Sequence, residues 1–325
     1  MIDDVLAADL RDSHPRVASV GTYIVDVLGR PVSELPRGQV SSLLDEIRIT
    51  VAGTAGGTSV DLVRLGATVI ALGAVGRDNV GDFLISTLRS EGVDPSYLVR
   101  KDGVQTSATM LPIHPDGSRP AWHVPGANSA FTLEDIEWDA LGSCDAVHLG
   151  GLTALPGIDG RPAGQLLAYA REHGALTTAD FLGVRGDAVA EQLAQCLPHV
   201  DIFMPNEGEA MAATGEADAT AAAEALRSLG ASCVIVKQGP EGCLILDDDG
   251  ARSLPTHGVP VVDTTGCGDA FCAGVIVARC AGWSIDEAAR LGCATGTLNV
   301  RGLGSDAGAR DVEEALAFAG EAVYL

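Results

Sequence analysis

One segment of the sequence combines residues suited to binding an anion with a carboxylate suited to accepting a proton. Gly266, Cys267 and Gly268 follow a β-rich run, residues 261–263, and precede a long apolar helix. Backbone N–H groups at a helix start point outward and attract negative charge, and glycine lets a phosphate approach the backbone closely. Asp269, in the first helical turn, can accept the proton of a substrate hydroxyl that attacks a phosphoryl group. The segment predicts phosphoryl transfer, with one alternative: a capped helix in which Asp269 only complements the helix dipole.

Motifs of several other enzyme classes are missing from the chain. There is no Gly-Lys dipeptide, so the sequence holds no P-loop, and there is no Gly-x-Ser-x-Gly elbow of an α/β-hydrolase. The pair Gly266 and Gly268 lacks the third glycine of a dinucleotide fingerprint because Phe271 stands in its place. The seven histidines share no metal-ligand spacing, so we expect structural or surface roles for them.

Alternating strand and helix patterns surround this segment and must position it. Short β-branched and apolar runs predict buried strands at 17–20, 68–72, 146–149, 176–180, 201–204 and 233–236. Helical spacing of apolar residues predicts helices at 57–65, 80–91, 162–173, 188–196, 207–214 and 220–229. Such alternation predicts an α/β fold with a mainly parallel sheet covered by helices on both faces. Ligands then bind at the carboxyl ends of the strands.

Two extended regions interrupt the alternation. Residues 106–114 and 119–124 flank the turn signal Pro-Asp-Gly-Ser at 115–118, which predicts a hairpin. A further extended stretch, residues 43–51, is predicted to pair with the hairpin into a small sheet that projects from the strand ends. We expect this sheet to act as a lid, with lid segments at about 22–51 and 104–125.

The composition limits the classes of partner. The chain has 325 residues with 21 Lys and Arg against 44 Asp and Glu, a net charge of −23, so we expect neither nucleic-acid nor anionic-membrane binding. Residues 1–15 carry four Asp and lack the basic start of a secretion signal. The eight cysteines contain no Cys-x-x-Cys pair and are interpreted as reduced. These features predict a cytoplasmic protein.

The segment from Asp263 to Asp269, Asp-Thr-Thr-Gly-Cys-Gly-Asp, resembles the C-terminal signature of the ribokinase-like, or PfkB, carbohydrate kinases. Segments similar to further family motifs follow the family order at 53–58, 126–128, 205–209 and 237–242. The resemblance covers about residues 17–320 and implies a Rossmann-like, ribokinase-like core. We predict one domain over 16–325, preceded by a flexible N-terminal extension over 1–15.

The resemblance implies an ATP-dependent sugar kinase that transfers the γ-phosphate of Mg-ATP to a hydroxyl, expected to be primary, of a small sugar such as ribose or fructose. Asp269 would be the base, and the amides of Gly266, Cys267 and Gly268 would stabilise charge on the transferring group. Glu209 and Asn206 would position Mg²⁺ through water. The implied nucleotide-binding residues are Asn206, Lys237, Gly239, Gly242, Thr264 and Asn299. A monovalent cation such as K⁺ is expected near the loop 263–265.

The implied acceptor site contains Asp26, Gly53, Gly57, Asn128 and Asp180. Asp26 offers several acceptor positions to the hydroxyls of a polyol. Gly57 stands where many members of the family have asparagine, and residues 180–185 lack the Asp-x-Asn-x-Arg pattern of some members. Because polar partners of this kind discriminate between sugars, the sequence leaves the acceptor open.

Two other functions stay open, and the resemblance also implies an assembly. A nucleoside kinase would need an apolar cradle for a base, for which Trp122 and Phe131 are candidates. A ligand-binding relative without turnover would not need Asp269. A homodimer through the lid is expected, with Met110, Ile113 and Trp122 at its interface.

The Cys267 thiol carries a separate hypothesis. Its place at a helix start predicts a lowered pKa and reactivity toward alkylating reagents. The alternative is that cysteine is simply small enough for the site.

Overall fold

The computed structural model describes residues 2, 4–115, 118–184 and 188–320. Its strands are β1 (Arg16–Gly21), β2 (Ile24–Arg30), β3 (Glu46–Ala52), β4 (Thr68–Gly76), β5 (Leu98–Lys101), β6 (Ala108–Pro112), β7 (Trp122–Val124), β8 (Ala146–Leu152), β9 (Leu176–Phe181), β10 (Ile202–Phe203), β11 (Cys233–Lys237), β12 (Cys243–Asp247) and β13 (Gly250–Leu254). Its helices are α1 (Asp4–Asp12), α2 (Thr54–Arg64), α3 (Asn79–Ser90), α4 (Trp138–Leu141), α5 (Arg161–Glu172), α6 (Val189–Cys196), α7 (Glu207–Thr214), α8 (Ala219–Ser228), α9 (Cys267–Cys280), α10 (Ile285–Asn299) and α11 (Val312–Ala319).

The larger sheet has nine strands in the order β13-β12-β11-β10-β9-β8-β1-β4-β5. Strands β4, β5, β1 and β8 to β11 pair in parallel, which confirms the predicted α/β fold with a mainly parallel sheet. The predicted strands read as continuous apolar runs because both faces are covered. Strands β12 and β13 pair antiparallel at one edge and were not predicted.

Helix α9 is the apolar centre of one helical layer. Every residue from Asp269 to Ala278 is buried, and the helix packs between α10 and α2. A helix that is apolar on all sides belongs in a protein core. In the part of the chain that the structure describes, no helix is long and apolar enough to cross a membrane.

The N-terminal segment differs from the predicted flexible extension. Residues Asp4–Asp12 form helix α1, and Leu10 is buried in the main core. The indole Nε1 of Trp283 donates to the carbonyl of Leu6, and Arg11 pairs with Glu313. Apolar packing of Leu10 and Leu6, together with these two polar contacts, docks the helix on the domain.

The smaller sheet, which we call the lid sheet, has four strands in the order β3-β2-β6-β7. The predicted hairpin is present as the antiparallel pair β6 and β7, although turn residues 116 and 117 lie outside the described residues. The stretch 43–51 supplies β3, but it pairs with β2 and not with the hairpin, because β2 lies between them. Strand β2 had no sequence prediction as a strand of its own.

The two faces of the lid sheet differ in exposure. Asp26 is opposite Thr50 and Thr109, and all three are buried against the body of the protein. Because side chains alternate along a strand, the next positions point to the other face. There Ile49, Met110 and Trp122 are exposed, together with Ile47 and Val124.

Ile113 corrects one prediction about the lid. It was expected at a dimer interface, but it is 4% exposed and packs with Leu28, Leu111 and Leu303. This small apolar cluster joins the lid sheet to the loop that follows α10. Met110 and Trp122 remain available on the outer face.

Candidate active site

The start of α9 has the geometry that the sequence predicted. Gly266 is the N-cap residue with φ of 79°, and a Cβ there would lie 2.4 Å from Ser305 Cα. Glycine is therefore required both for the left-handed backbone and for the close approach. The first N–H groups of a helix have no intrahelical acceptor. We call the amides of Gly266, Cys267 and Gly268 the anion cradle.

Asp269 lies in the first turn of α9, against helix α2. A Cβ on Gly57 would be 2.4 Å from Asp269 Oδ2, so the carboxylate occupies the space of a missing side chain. Asp269 is 9% exposed, and burial, followed by the negative charge of Asp180, raises its pKa well above the ordinary value. Gly57, which was predicted to contact substrate, leaves the space that the Asp269 carboxylate occupies.

Lys237 places a positive charge beside the cradle. Its Nζ would be 3.1 Å from a Cβ on Gly268 and is 3.7 Å from Cys272 Sγ. Burial lowers the pKa of Lys237, but its acidic neighbours, led by Cys272 and Asp180, outweigh this effect and raise it. The side chain is therefore an ammonium group in the site, and its position agrees with the predicted nucleotide contact.

Asp180, predicted at the acceptor side, lies at the end of β9 in the same cluster. Its Oδ1 accepts the amide of Gly151 at 3.0 Å, and burial raises its pKa to about 7. His148 and Cys272 each approach one of its oxygens at 3.9 Å. Sequence reasoning missed these two neighbours, because both lie in apolar runs that read as core.

Asn206 and Glu209 form the capping box of helix α7. Asn206 Oδ1 accepts the amide of Glu209, and Glu209 Oε2 accepts the amide of Asn206. Glu209 Oε1 also accepts the amide of Gly183. These bonds fix the two oxygen-bearing side chains at the start of α7, and Glu209 lies close enough to Asp180 for its charge, in addition to burial, to raise the pKa of that residue. Residue 185, the end of the sequence motif considered above, lies outside the described residues.

The loop between β11 and β12 contains the predicted nucleotide glycines. Gly239 has φ of 57° and faces open space, whereas a Cβ on Gly242 would lie 2.0 Å from the carbonyl oxygen of Leu254. Close packing therefore requires glycine at position 242. At position 239 the loop faces open space. The open edge is compatible with the predicted nucleotide contact.

Asn299 has a different role from the one predicted. It is fully buried, and its Nδ2 donates to the carbonyl of Thr265 at 2.6 Å. A side chain in this position supports the loop before the cradle, so its predicted effect on the nucleotide would act through that loop. Thr264, by contrast, is exposed beside the cradle.

On the acceptor side, Asp26 faces the cradle from the lid sheet. It is 6% exposed, and burial raises its pKa to about 6, while a hydrogen bond from Thr109 lowers it. Gly53, with φ of 84°, lies just before α2, and a Cβ there would be 2.5 Å from the carbonyl oxygen of Thr22. Both residues lie where the acceptor site was predicted.

Asn128 does not reach the acceptor site in this structure. Its Oδ1 accepts the amide of Tyr23 and its Nδ2 donates to the carbonyl of Tyr23. Both ends of the amide are therefore used to hold the start of β2, close to Asp26. The residue positions the hinge of the lid and not the sugar.

The two aromatic residues considered for a base-binding cradle also lie elsewhere. Phe131 is fully buried in the core, and Trp122 is opposite Met110 on the exposed outer face of the lid sheet. Neither ring faces the volume between Asp26 and Asp269. The side chains that suggested a nucleoside thus do not form part of the site.

Arg119 was not predicted and connects the lid to the cradle loop. Its Nε donates to Thr264 Oγ1 at 3.3 Å and lies 3.7 Å from Asp263 Oδ1. A cavity of about 710 Å³ lies beside this contact, lined among others by Arg30, His114 and Val261. Arg119 directly follows the predicted hairpin turn in the sequence, and this position could have indicated a basic residue at the tip of the lid.

The hypothesis of a reactive Cys267 is not supported. Burial raises the pKa of this thiol, although Lys237 and Arg119 act in the opposite direction. Desolvation of the thiolate outweighs the effect of the helix start. Cysteine here is a small residue that fits the cradle.

Comparison with known proteins gives a family and several relatives. Residues 14–311 match the family model described as pfkB family carbohydrate kinase. An uncharacterised sugar kinase of Archaeoglobus fulgidus is 30% identical over 231 residues, 71% of this chain and 90% of that protein. The 1-phosphofructokinase of Haloferax volcanii is 31% identical over 252 residues, 74% of this chain and 78% of that protein. A structure of Arabidopsis thaliana ribokinase complexed with ribose and ATP superposes with a TM-score of 0.82 at 22% identity, covering 95% of this chain and 100% of the other.

Proposed function

The chain belongs to the pfkB family of carbohydrate kinases, and from that premise we propose that it transfers the γ-phosphoryl group of ATP to a hydroxyl of a small sugar such as ribose or fructose, with a primary hydroxyl as the expected acceptor. The observation that carries this proposal is the position of Asp269. Its carboxylate is buried beside the anion cradle, against Gly57. This arrangement provides a base and an oxyanion-type site at one point.

In the proposed reaction, the acceptor hydroxyl gives its proton to the carboxylate of Asp269. The sugar oxygen forms a bond to the γ-phosphorus, the bond from that phosphorus to the β-phosphate oxygen breaks, and ADP leaves. The raised pKa of Asp269 favours proton acceptance. The cradle amides and the Lys237 ammonium stabilise charge on the transferring group.

Mg²⁺ is part of the proposed substrate complex. Asp180, Glu209 and Asp269 contribute three carboxylates around the single ammonium of Lys237, so the site has an excess of acid that suits a cation. Carboxylate and amide oxygens are ligands that Mg²⁺ accepts, often through water. We assign Glu209, Asn206 and Asp180 to hold it. When bound, the metal neutralises the phosphate oxygens of the nucleotide.

The remaining proposed nucleotide contacts come from the loop after β11 and from the residues around the start of α9. Gly239 and Gly242 shape the open loop after β11, and Thr264 lies before the cradle. Asn299 contributes by supporting the carbonyl of Thr265. We propose that ATP lies along this edge with its γ-phosphate at the cradle.

The acceptor is proposed to lie between Asp26 and Asp269, with Gly53 at its side. Nucleosides take second place because Phe131 and Trp122 do not face this volume. A ligand-binding relative without turnover is disfavoured for a physical reason. Keeping the Asp269 carboxylate buried beside Asp180 costs free energy that a binding protein need not spend.

A monovalent cation such as K⁺ is proposed beside the loop 263–265. Asp263 Oδ1 accepts from the backbone amide and hydroxyl of Thr265, and Oδ2 accepts the amide of Gly304. One carboxylate thus joins the two loops around the start of α9. The amide oxygen of Asn299 is buried there without a hydrogen-bond partner, as expected of a cation ligand.

A homodimer through the lid is also proposed. Ile49, Met110 and Trp122 expose 47–56% of their surface on the outer face of the lid sheet. A contiguous apolar face of this kind is typical of a protein interface. Analytical ultracentrifugation of the wild type and of Met110→Glu would test it, with a dimer expected only for the wild type.

The proposed reaction is tested by measuring ADP release with Mg-ATP over pentoses, hexoses, sugar acids and nucleosides, for the wild type and Asp269→Asn. We expect turnover on one sugar class that falls by about 10²–10⁴-fold in the variant because the base is lost. Asp248→Asn, a substitution of an exposed aspartate, serves as the matched control. A wild type that binds ATP but turns over no member of the panel would favour the ligand-binding relative, and turnover on nucleosides alone would favour the second candidate.

A further inference from the structure

Three chemically different donor groups converge behind the anion cradle. His148, Asp180 and Cys272 each offer one ligand atom, and these atoms all lie within 4.8 Å of one another. The three residues are 0%, 1% and 0% exposed. They come from β8, β9 and α9, so the cluster exists only in the folded chain.

His148 is the unexpected member of this group. Its Nδ1 lies 2.9 Å from Thr178 Oγ1, whereas its buried Nε2 has no hydrogen-bond partner. The Nε2 is 3.9 Å from Asp180 Oδ1. Burial lowers the pKa of the ring to about 3, so the histidine is neutral. When Nδ1 donates to Thr178, the lone pair of Nε2 is free and aimed at the carboxylate, as in a metal-ligating histidine held by its other nitrogen.

The distances are compatible with a small contraction around an ion. Tetrahedral sites with metal bonds of about 2.0–2.3 Å hold their ligand atoms roughly 3.5 Å apart. Here Asp180 Oδ1 lies 3.9 Å from His148 Nε2, its Oδ2 lies 3.9 Å from Cys272 Sγ, and one ligand atom of each residue lies within 4.8 Å of the others. The proposed site therefore requires the three side chains to move closer together when an ion binds.

The charge around the cluster also favours a cation. The positive charge of Lys237, whose Nζ lies 3.7 Å from Cys272 Sγ, acts against cation binding. Asp180, Glu209 and Asp269 face the same ammonium, so the carboxylates outnumber it. The four-carbon stem of Lys237 lets its ammonium shift toward the cradle.

We propose that His148, Asp180 and Cys272 form a second cation site that binds a thiophilic divalent ion of the Zn²⁺ class. A set of one nitrogen, one oxygen and one sulfur suits Zn²⁺ or Co²⁺, whereas Mg²⁺ prefers oxygen ligands. Formation of the sulfur–metal bond releases the thiol proton of Cys272 to solvent. The site differs from the proposed Mg²⁺ position because Asn206 and Glu209 are not its ligands.

Occupation of this site has a consequence that rests on the proposed function. The ion takes Asp180 away from Mg²⁺ and adds positive charge beside Lys237. Phosphoryl transfer therefore falls when Zn²⁺ is bound, although ATP and sugar are present. The proposed inhibitor is thus a thiophilic divalent cation that binds within the active-site cluster.

The first test is spectroscopic and needs no turnover. Co²⁺ is titrated into the reduced wild-type protein, and the near-ultraviolet charge-transfer band of a cobalt–thiolate bond is recorded. We expect the band to saturate at one equivalent and to be absent in Cys272→Ser. Cys280→Ser, which removes a more accessible thiol, should keep it. Absence of the band in the wild type, or its survival in Cys272→Ser, overturns the proposal.

A second variant separates ligand loss from a folding defect. His148→Asn keeps a side chain that can bond to Thr178 but removes Nε2. We expect Co²⁺ affinity to fall at least about tenfold with a native circular dichroism spectrum. Unchanged affinity in the folded variant contradicts the role of His148.

The effect on turnover is measured separately, with the acceptor that the panel of sugars and nucleosides identifies. Zn²⁺ should inhibit the wild type at concentrations at least about tenfold lower than Cys272→Ser. A cobalt–thiolate band in a protein without kinase activity would leave the metal site in place and overturn only the proposed function. Equal Zn²⁺ inhibition of both proteins would overturn inhibition through this site.

Discussion

The transfer side of the candidate site lies at the carboxyl edge of the nine-stranded sheet, whereas the acceptor side is carried by a four-stranded sheet with one exposed face. On the transfer side, two glycines leave no free space: a Cβ on Gly57 meets Asp269 and one on Gly150 would lie 2.5 Å from the amide of Ala55. On the acceptor side, Asp26 is held by a sheet that meets the body through Val25 and Val51 of the main core and through a small separate apolar cluster.

This difference separates two properties of the enzyme. Groups on the packed edge are held by closely packed backbone, so we expect them to set the chemistry for every acceptor. Asp26 is positioned by the lid sheet, and the Asn128 amide holds the start of that sheet through Tyr23. We therefore expect lid residues to decide which acceptor is bound. Substitutions in the two regions should change different kinetic constants.

After the loss of the base in Asp269→Asn, the largest effect is expected for Lys237→Met. Loss of the ammonium beside the cradle removes charge stabilisation in the transition state, so kcat should fall by about 10²–10³-fold on every accepted sugar. Steady-state kinetics with two or more acceptors measure it. Lys101→Met is the matched control, because the chain has only these two lysines and Lys101 pairs with Asp135. A loss confined to one sugar would break the comparison between the two sides.

A smaller loss is expected for Gly57→Ala. The new Cβ would lie 2.4 Å from Asp269 Oδ2, so the carboxylate must move, and misplacement of about 1 Å costs roughly 10²-fold in rate. The effect should appear in kcat with little change in KM for the sugar. Gly320→Ala, where the nearest atom is 3.4 Å away, is the control. An unchanged kcat would show that Asp269 does not depend on this contact.

The smallest effect, and the one that sharpens the comparison, is expected for Asp26→Asn. Loss of a charged hydrogen-bond acceptor should lower kcat/KM for the sugar by about 10–100-fold, to different extents for different sugars. KM for ATP should not change. Glu34→Gln, an exposed lid position, is the control. An equal loss on all sugars, seen in kcat, would move Asp26 to the transfer side.

The same variant has an effect on stability of known sign. Burial raises the pKa of Asp26 to about 6, so the folded protein binds this proton more tightly than the unfolded chain. The stabilisation is complete below the unfolded pKa of about 4 and is lost as pH rises through 6. Asp26→Asn lacks this loss, so its thermal midpoint relative to the wild type should rise between pH 5 and pH 7.5. If the thermal midpoint of Asp26→Asn fell relative to the wild type over this pH range, the raised pKa of Asp26 would be contradicted.

Much of the transfer side could be predicted because its signals are local. The cradle and Asp269 occupy four consecutive positions, and Asn206 and Glu209 are three apart, the spacing that also makes a capping box. The strands around them are continuous apolar runs. Local spacing of this kind survives folding unchanged.

Residues whose roles depend on a distant partner were predicted less well. Asn128 is held by Tyr23, Asn299 by Thr265, and Ile113 by the loop after α10. The motif positions were correct, but the direction of each side chain was not contained in the motif. Strand β2 was missed as well, since its pairing partners lie at 46–52 and 108–112.

The sequence by itself determined the family, the α/β core and the base of the proposed reaction, because these rest on short segments whose residues are neighbours in the chain. Only the tertiary structure decided that Gly57 makes room for Asp269 and that Lys237 borders the cradle. It alone brought His148, Asp180 and Cys272 to within 4.8 Å of one another. The physical reason is that these contacts join residues from separate strands and helices, and packing, not spacing, sets their distances.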